Sequence, residues 1–297
     1  QEPAVLEKIT SWAKEYAKKP VLVKLTPSVT RIEEVGLAAR RGGADGVSLI
    51  NTIKSLMGVD LDRFTPFPNV GGRSTNGGYC GPAVKPIALF LVGSLAVEPK
   101  FGLPISGIGG ISTWRDAAEF MALGSTTVQV CTAAMHHGFR IVEDMIEGLE
   151  SYLDEKGMKS AMELVGKAVP NFVDWGDLDL NFKVVASIDP QKCIGCQLCY
   201  VACWDGAHQC IDLPKGSEIA PAAAHGNGNG HGTPVPAWRV PTVREADCIG
   251  CNLCSLVCPV PGCISMVERS TGMPKVTWND FTAAGQKPEL LAPRPHP

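Results

Sequence analysis

Two short stretches constrain this chain more than anything else in it. "CIGCQLCYVAC", Cys193 to Cys203, and "CIGCNLCSLVC", Cys248 to Cys258, share the spacing C-x2-C-x2-C-x3-C and supply most of the chain's 12 cysteines. Thiols this dense either pair as disulfides or bind metal, and the rest of the chain decides between the two. Disulfide frameworks belong to small secreted domains. This chain has 297 residues and opens "QEPAVLEKIT", charged and amphipathic, with no secretory signal. Metal in a reducing cytoplasm is therefore expected. The opening lacks methionine, as a processed or shortened chain would.

The spacing also says which metal. In runs of the bacterial ferredoxin type, three cysteines wrap one corner of a 4Fe-4S cube. The fourth leaves on a short helix and ligates the other cluster of a pair. That assigns Cys193, Cys196, Cys199 and Cys258 to one cluster, and Cys248, Cys251, Cys254 and Cys203 to the second. Two structural zinc sites are the competing reading, but zinc ribbons use two knuckles per metal, not three cysteines in a row plus a distant fourth. Cys210 and Cys263, soon after the two runs, read as buried thiols. Pro259 follows Cys258 whereas Trp204 follows Cys203, so the first run is expected to leave its cluster along a different backbone path without losing a ligand. Two clusters make a relay, and a relay has no substrate of its own.

What the relay serves must come from the residues before it. Hydrophobic residues at 45% and charged ones at 19% describe a globular chain, and a net charge of −3 offers no attraction for nucleic acid or an anionic membrane. The longest apolar stretch, "PIALFLVGSLAV", is too short to span a bilayer and reads as a buried helix.

The first half alternates helix and strand signals. Residues 3–18 put Val5, Ile9, Trp12, Ala13 and Tyr16 on one helical face. "PVLVKL" reads as a buried strand, and "TRIEEVGLAARRGG" as a helix with Thr30 and Glu33 in capping-box spacing. "DGVSLINT" is a strand, followed by a long glycine-rich loop over residues 54–81 and a helix over 84–97. "LPISGIGGIS" is a strand and turn, Thr113 to Leu123 a helix, "TTVQVCT" a strand and 139–156 a helix. These are consecutive βα units with short apolar strands, which fit either a doubly wound sheet or part of a (β/α)8 barrel. The expected domains are a partial barrel over 1–170, a connector over 171–186, a ferredoxin-like two-cluster domain over 187–280 with a flexible insertion at 214–236, and a disordered tail over 281–297. His225 and His231 in the insertion read as solvated loop residues.

"GIGGIS" has to be tested as a dinucleotide turn. Gly107 and Gly109 match, but the third glycine position is Ser112 and no acidic residue follows at the next strand end. In a barrel, phosphate binds at the loops after the last two strands. Gly109–Gly110 and Cys131–Thr132 occupy those loops and suit the phosphate of a flavin mononucleotide. Lys24, ending an apolar strand, either snorkels to solvent or stabilises negative charge on a reduced flavin ring. Asn51 and Thr52 end the next strand, and an Asn amide matches the alternating C=O and N–H edge of a cyclic imide.

"VLVKLTPSV", "GGADGVSLINT", "GGYCGPAVKPIAL", "PISGIGGISTWRDAAEFMALG" and "VQVCTAAM", together with both cysteine runs, resemble the flavin and iron–sulfur subunit of bacterial NAD-dependent dihydropyrimidine dehydrogenases. The resemblance covers nearly the whole chain. It implies an α/β fold: the C-terminal half of a dihydroorotate-dehydrogenase-like (β/α)8 TIM barrel carrying FMN, then an α+β ferredoxin-like domain with two 4Fe-4S clusters. It places flavin contacts on Lys24, Gly81, Gly109, Gly110, Ile111, Cys131 and Thr132, and pyrimidine contacts on Asn51 and Thr52.

It also implies reduction of uracil or thymine to the 5,6-dihydro compound, with hydride from the flavin to C6 and a cysteine acid at C5. That cysteine sits on an earlier barrel loop that no stretch here matches. Cys80 and Cys131 do not lie in its motif, so no catalytic residue is assigned and the chain is expected to lack the first half of the barrel. NADH and FAD would belong to a partner subunit in a hetero-oligomer. Three alternatives remain: a dihydroorotate dehydrogenase-like enzyme, an electron-transfer or scaffold module without catalysis, and a zinc-binding interaction protein.

Overall fold

The structure, a computed structural model, describes residues 2–213 and 240–283 and divides into two units, Gln1–Val173 and Asp174–Pro297. The segment 214–236, with His225 and His231, and residues 284–297 lie outside the described residues.

In the first unit, α1 (Pro3–Tyr16), β1 (Leu22–Leu25), α2 (Ile32–Arg41) and β2 (Gly46–Leu49) lead into four three-residue strands. These are β3 (Ile53–Ser55), β4 (Gly58–Asp60), β5 (Thr65–Phe67) and β6 (Gly77–Tyr79). There follow α3 (Lys85–Val97), β7 (Ile105–Ile108), α4 (Trp114–Ala122), β8 (Ser125–Gln129), α5 (Thr132–His137) and α6 (Ile141–Glu155).

β1, β2, β7 and β8 form one four-stranded parallel sheet, side by side in chain order. A doubly wound sheet reverses its order at a switch point, and these strands do not. With right-handed crossovers, sequential order keeps every helix on one face, as in a stretch of barrel. Among the described residues the sheet does not close, and β1 and β8 are its edges.

The period of two in each strand separates the faces. Leu25, Val47, Leu49 and Ile105 are buried in one core with Val35, Ala88, Val92, Leu95 and Phe120 from the helices. The opposite face carries a polar register row, Lys24 beside Ser48, Ser48 beside Ser106, and Ser106 beside Thr127.

Three expectations change. The stripe on α1 is not its buried face: Val5, Ile9, Trp12 and Tyr16 are exposed, while Thr10 is buried and Leu6 packs on the core. Ion pairs Arg41–Glu7 and Lys14–Asp45, each 2.7 Å, tie the helix down on that other side. Thr30 does not cap α2. The cap residue is Arg31, so Glu33 falls one position short of completing a capping box, and Glu34 pairs with Arg31 at 3.4 Å. The loop over 54–81 contains two antiparallel ladders, β3 with β6 and β4 with β5.

The second unit contains β9 (Lys183–Ile188), α7 (Leu198–Gly206), β10 (Ile211–Asp212), β11 (Thr242–Val243), α8 (Leu253–Leu256), β12 (Ile264–Arg269) and α9 (Trp278–Ala283). β9 and β12 pair antiparallel from Lys183 with Arg269 to Ile188 with Ile264, and β10 pairs with β11. Phe281 to Ala283 finish α9, so the segment read as a tail begins inside a helix. No helix among the described residues is long and apolar enough to cross a membrane.

Candidate functional site

The C-terminal ends of the parallel strands converge on a cleft that is partly open to solvent. Lys24, Asn51, Thr52, Gly81, Gly109, Gly110, Ile111, Cys131 and Thr132 all line it. These are the nine positions singled out in the sequence for flavin and pyrimidine. Eight come from the four parallel strand ends, which the sheet brings to one place, and Gly81 from the loop before α3.

The glycine turn is built for close approach. Gly110 has φ +80°, and a Cβ there would stand 2.7 Å from Gly81 O and 3.0 Å from Lys85 N. Gly109 has φ +137°, and its Cβ would meet Ala88 Cβ at 2.8 Å. The turn therefore lies flat against the start of α3 and presents backbone to the cleft.

Behind the turn, α4 starts with a capping box. Thr113 Oγ1 accepts from Asp116 N–H at 3.3 Å, and Asp116 Oδ2 accepts from the backbone N–H of Ser112 at 2.9 Å and of Thr113 at 2.8 Å. Lys85 Nζ reaches Asp116 at 2.6 Å and Glu119 at 2.9 Å. Burial works to raise the Asp116 carboxyl, but the Lys85 bond and the N–H and hydroxyl donors outweigh it and hold the group down at about 2. The same carboxylates raise the Lys85 ammonium above its ordinary value. This pair locks the turn to two helices. Nothing in the linear sequence marks it, because its partners stand 31 residues apart.

The network that holds Gln129, a residue of the cleft lining, is a second device that sequence reasoning missed. Gln129 Nε2 donates to Ser48 Oγ at 2.8 Å and to Ser106 Oγ at 2.9 Å, and Thr127 Oγ1 donates to Ser106 Oγ at 2.8 Å. Ser48 and Ser106 are buried, so these bonds satisfy hydroxyls that would otherwise be costly. The only linear signal was polar residues at every second position of "TTVQ". Nearer the mouth, Asn51 Oδ1 accepts from Thr52 N–H at 2.9 Å, and Thr132 Oγ1 donates to Cys80 Sγ at 3.3 Å.

The second unit holds two smaller cavities. Cys193, Cys196, Cys199 and Cys258 line one of about 320 Å³, and Cys203, Cys248, Cys251 and Cys254 line one of about 290 Å³. Each run thus gives three thiols to one cavity and sends its fourth to the other. The local backbone explains the pattern. Gly195 and Gln197, like Gly250 and Asn252, adopt left-handed conformations, φ 66° and 64° against 75° and 65°. Each loop is thereby curled around its cavity before α7 or α8 begins, and Gly195 N–H donates to Cys193 Sγ at 3.4 Å.

The exits differ as Pro259 and Trp204 predict. α8 stops at Leu256, before Cys258 and its proline, whereas α7 carries Cys203 within the helix and continues to Gly206. Trp204 Nε1 donates to Ile211 O at 2.8 Å and anchors that longer exit to β10.

Burial pushes the Cys199 thiol up to about 12 and raises Cys254 as well, against backbone donors that lower both. Metal binding here must release protons. Among the described residues no three ligating side chains converge on a single ion. The thiols gathered around each cavity are donors of the kind that hold iron–sulfur clusters or zinc.

Comparison with known proteins agrees with this division. The family described as dihydroorotate dehydrogenase matches residues 1–153, and the 4Fe-4S dicluster domain matches residues 186–266. The chain is 43% identical over 269 residues to the NAD-dependent dihydropyrimidine dehydrogenase subunit PreA of Escherichia coli K12, covering 90% of this chain and 60% of that protein. It is 42% identical over 169 residues to the catalytic subunit of dihydroorotate dehydrogenase B (NAD(+)) of Pyrococcus abyssi, covering 57% of this chain and 54% of that one. The chain therefore spans little more than half the length of the curated relatives it matches.

Proposed function

The chain belongs to the dihydroorotate dehydrogenase family, and on that premise we propose that it is the flavin and iron–sulfur part of an oxidoreductase that reduces uracil or thymine. The reading rests on one observation: a single chain carries a cleft lined by all nine candidate positions and two cavities that each gather four thiols of the paired runs. The similarity to PreA covers 269 residues and so reaches into both units, whereas that to dihydroorotate dehydrogenase B covers 169.

The lining suits FMN in kind, since it joins apolar side chains to a few backbone and polar groups that could fix a ligand's orientation. When bound, FMN would supply the hydride and the clusters single electrons. The chain's own residues bind and orient. Ser112 and Thr113 N–H are committed to Asp116, so a phosphate would be met by the backbone of Gly109 to Ile111 and of Cys131 to Thr132. Lys24 adds a cation at the strand end, where negative charge on a reduced isoalloxazine would need it. With Asn51 Oδ1 engaged by Thr52 N–H, the Asn51 amide donors are what remain for a pyrimidine carbonyl. Electrons would come from NADH through a partner subunit carrying FAD and NAD sites, in a cytoplasm that keeps the thiols reduced.

Anaerobic reconstitution with FMN, iron and sulfide tests the reading, followed by assays of uracil reduction driven by dithionite or by NADH with the partner subunit. The expected result is one FMN and about eight irons per chain, with uracil consumed faster than orotate. A second reading, an electron-transfer module without catalysis, is favoured by the open edges of the parallel sheet. It requires iron without flavin. A colourless, zinc-loaded protein defeats both.

A further inference from the structure

Each cluster cavity is lined by five cysteines, not four. Cys263 joins Cys193, Cys196, Cys199 and Cys258, and Cys210 joins Cys203, Cys248, Cys251 and Cys254. Both additional thiols are buried, at 3% and 4% exposure. Their neighbours follow one rule. Cys210 Sγ touches Cys203 Sγ at 3.6 Å and interacts with Cys248, and Cys263 interacts with Cys258 and Cys193. Each therefore sits where the last cysteine of one run meets the first cysteine of the other.

A thiol that merely fills core space has no reason to occupy equivalent places twice. Cys210 comes seven residues after Cys203, but Cys263 follows Cys258 at a shorter interval, so alignment of the two runs does not superimpose them. The tertiary structure makes them equivalent. The distance is also informative. Cys203 and Cys210 sulfurs are 3.6 Å apart, and two sulfurs bound to one tetrahedral metal at about 2.3 Å stand roughly 3.7 Å from each other. The two sulfurs are thus in contact, close enough for one to stand in for the other at a metal. Cys210 N–H donates to Cys203 Sγ at 3.3 Å, which holds the two residues together. Cys263 is also engaged by Asp189 O at 3.8 Å, so Cys210 is the better placed of the two.

We propose that Cys210 and Cys263 are reserve cluster ligands, each able to take the iron position of the run-end cysteines it touches. If Cys203 is lost, the Cys210 thiol gives its proton to solvent and its sulfur bonds to the iron that Cys203 would have held. One Fe–S bond replaces another, no electron moves, and the oxidation level of the cluster is unchanged.

The proposal rests on the two-cluster reading, which the iron content of the unaltered chain tests by itself. Given about eight irons there, Cys203→Ala and Cys248→Ala are each expected to retain about eight irons and both reduced-cluster EPR signals. Adding Cys210→Ala to either drops the count to about four, and Cys251→Ala drops it to about four whether or not Cys210 is present. The same comparison at the other cavity uses Cys258→Ala with and without Cys263→Ala. The idea fails if Cys203→Ala and Cys258→Ala already match their double variants in iron and spectra. It fails equally if both are insoluble while Cys251→Ala is not, since the run-end positions should be the better tolerated.

Discussion

In the first unit the buried side chains are hydrocarbon: Leu25, Val47, Leu49, Ala88, Val92, Leu95 and Phe120 pack between sheet and helices, and the cleft lies beyond them at the strand ends. Among the described residues of the second unit the buried cluster is Cys199, Cys203, Cys210, Cys248, Cys254 and Cys263 with Val185, Ala186, Ile211 and Ile264. One unit has a core and carries a site; the other has little core apart from its site. Folding of the second should therefore depend on what the thiols hold, because its sparse hydrocarbon burial cannot offset chain entropy. Folding of the first should not.

Stripping iron from the holoprotein tests this most directly. Amide exchange is expected to accelerate by about a hundredfold or more in β9, β12 and α7 while β7 and α3 keep their protection. Equal loss in both units would show that the hydrocarbon core does not stand alone.

The converse experiment strikes the first unit. Gly110→Ala forces a Cβ to 2.7 Å from Gly81 O at a left-handed backbone position and should destabilise that unit by about 3 kcal/mol. FMN affinity should fall at least tenfold by titration, with cluster content unchanged. Retained affinity would mean that the turn does not shape the flavin site.

A smaller effect should appear with acid. The Asp116 carboxyl is depressed to about 2 in the fold, so its contribution is fully present above the ordinary carboxylate range and is lost as pH falls through about 2. Urea titrations of the first unit between about pH 5 and pH 2 should show about 2 kcal/mol less stability from this group, and Asp116→Asn should flatten that part of the profile. An unchanged slope would remove Asp116 from the acid response.

The smallest change is expected from Ser106→Ala, which takes an acceptor from both Gln129 and Thr127 and should cost about 1 kcal/mol. Because Ser106 holds Gln129 in the cleft lining, its loss should register in flavin affinity and not in iron content. The reverse pattern would reject the row as part of the cleft.

Much of both units was legible in the sequence because their signals are local. Strand and helix alternate with clean periodicity, and "CIGCQLC" and "CIGCNLC" repeat one backbone curl with glycine at the left-handed position. The missed features are those whose partners are distant or whose pattern is shared by two outcomes. The α1 stripe was correctly periodic, but periodicity does not say which face meets α2; the Glu7 and Lys14 ion pairs do. Lys85 and Asp116 looked like ordinary helix-start residues until α3 and α4 were laid side by side. The glycine-rich loop looked structureless because three-residue strands are too short to show a period.

The sequence by itself determined the inventory: which thiols stand at cluster spacing, which glycines can expose backbone, and that short apolar strands must lie in a parallel sheet covered by helices. Only the tertiary structure decided the company each residue keeps. It drew nine cleft residues from four parallel strand ends and the loop before α3, and set Cys210 and Cys263 at matching places that their sequence intervals do not share. Spacing along a chain fixes only what neighbours within a turn or two can do. Which distant groups share a cavity is set by how strands pair and how helices leave them.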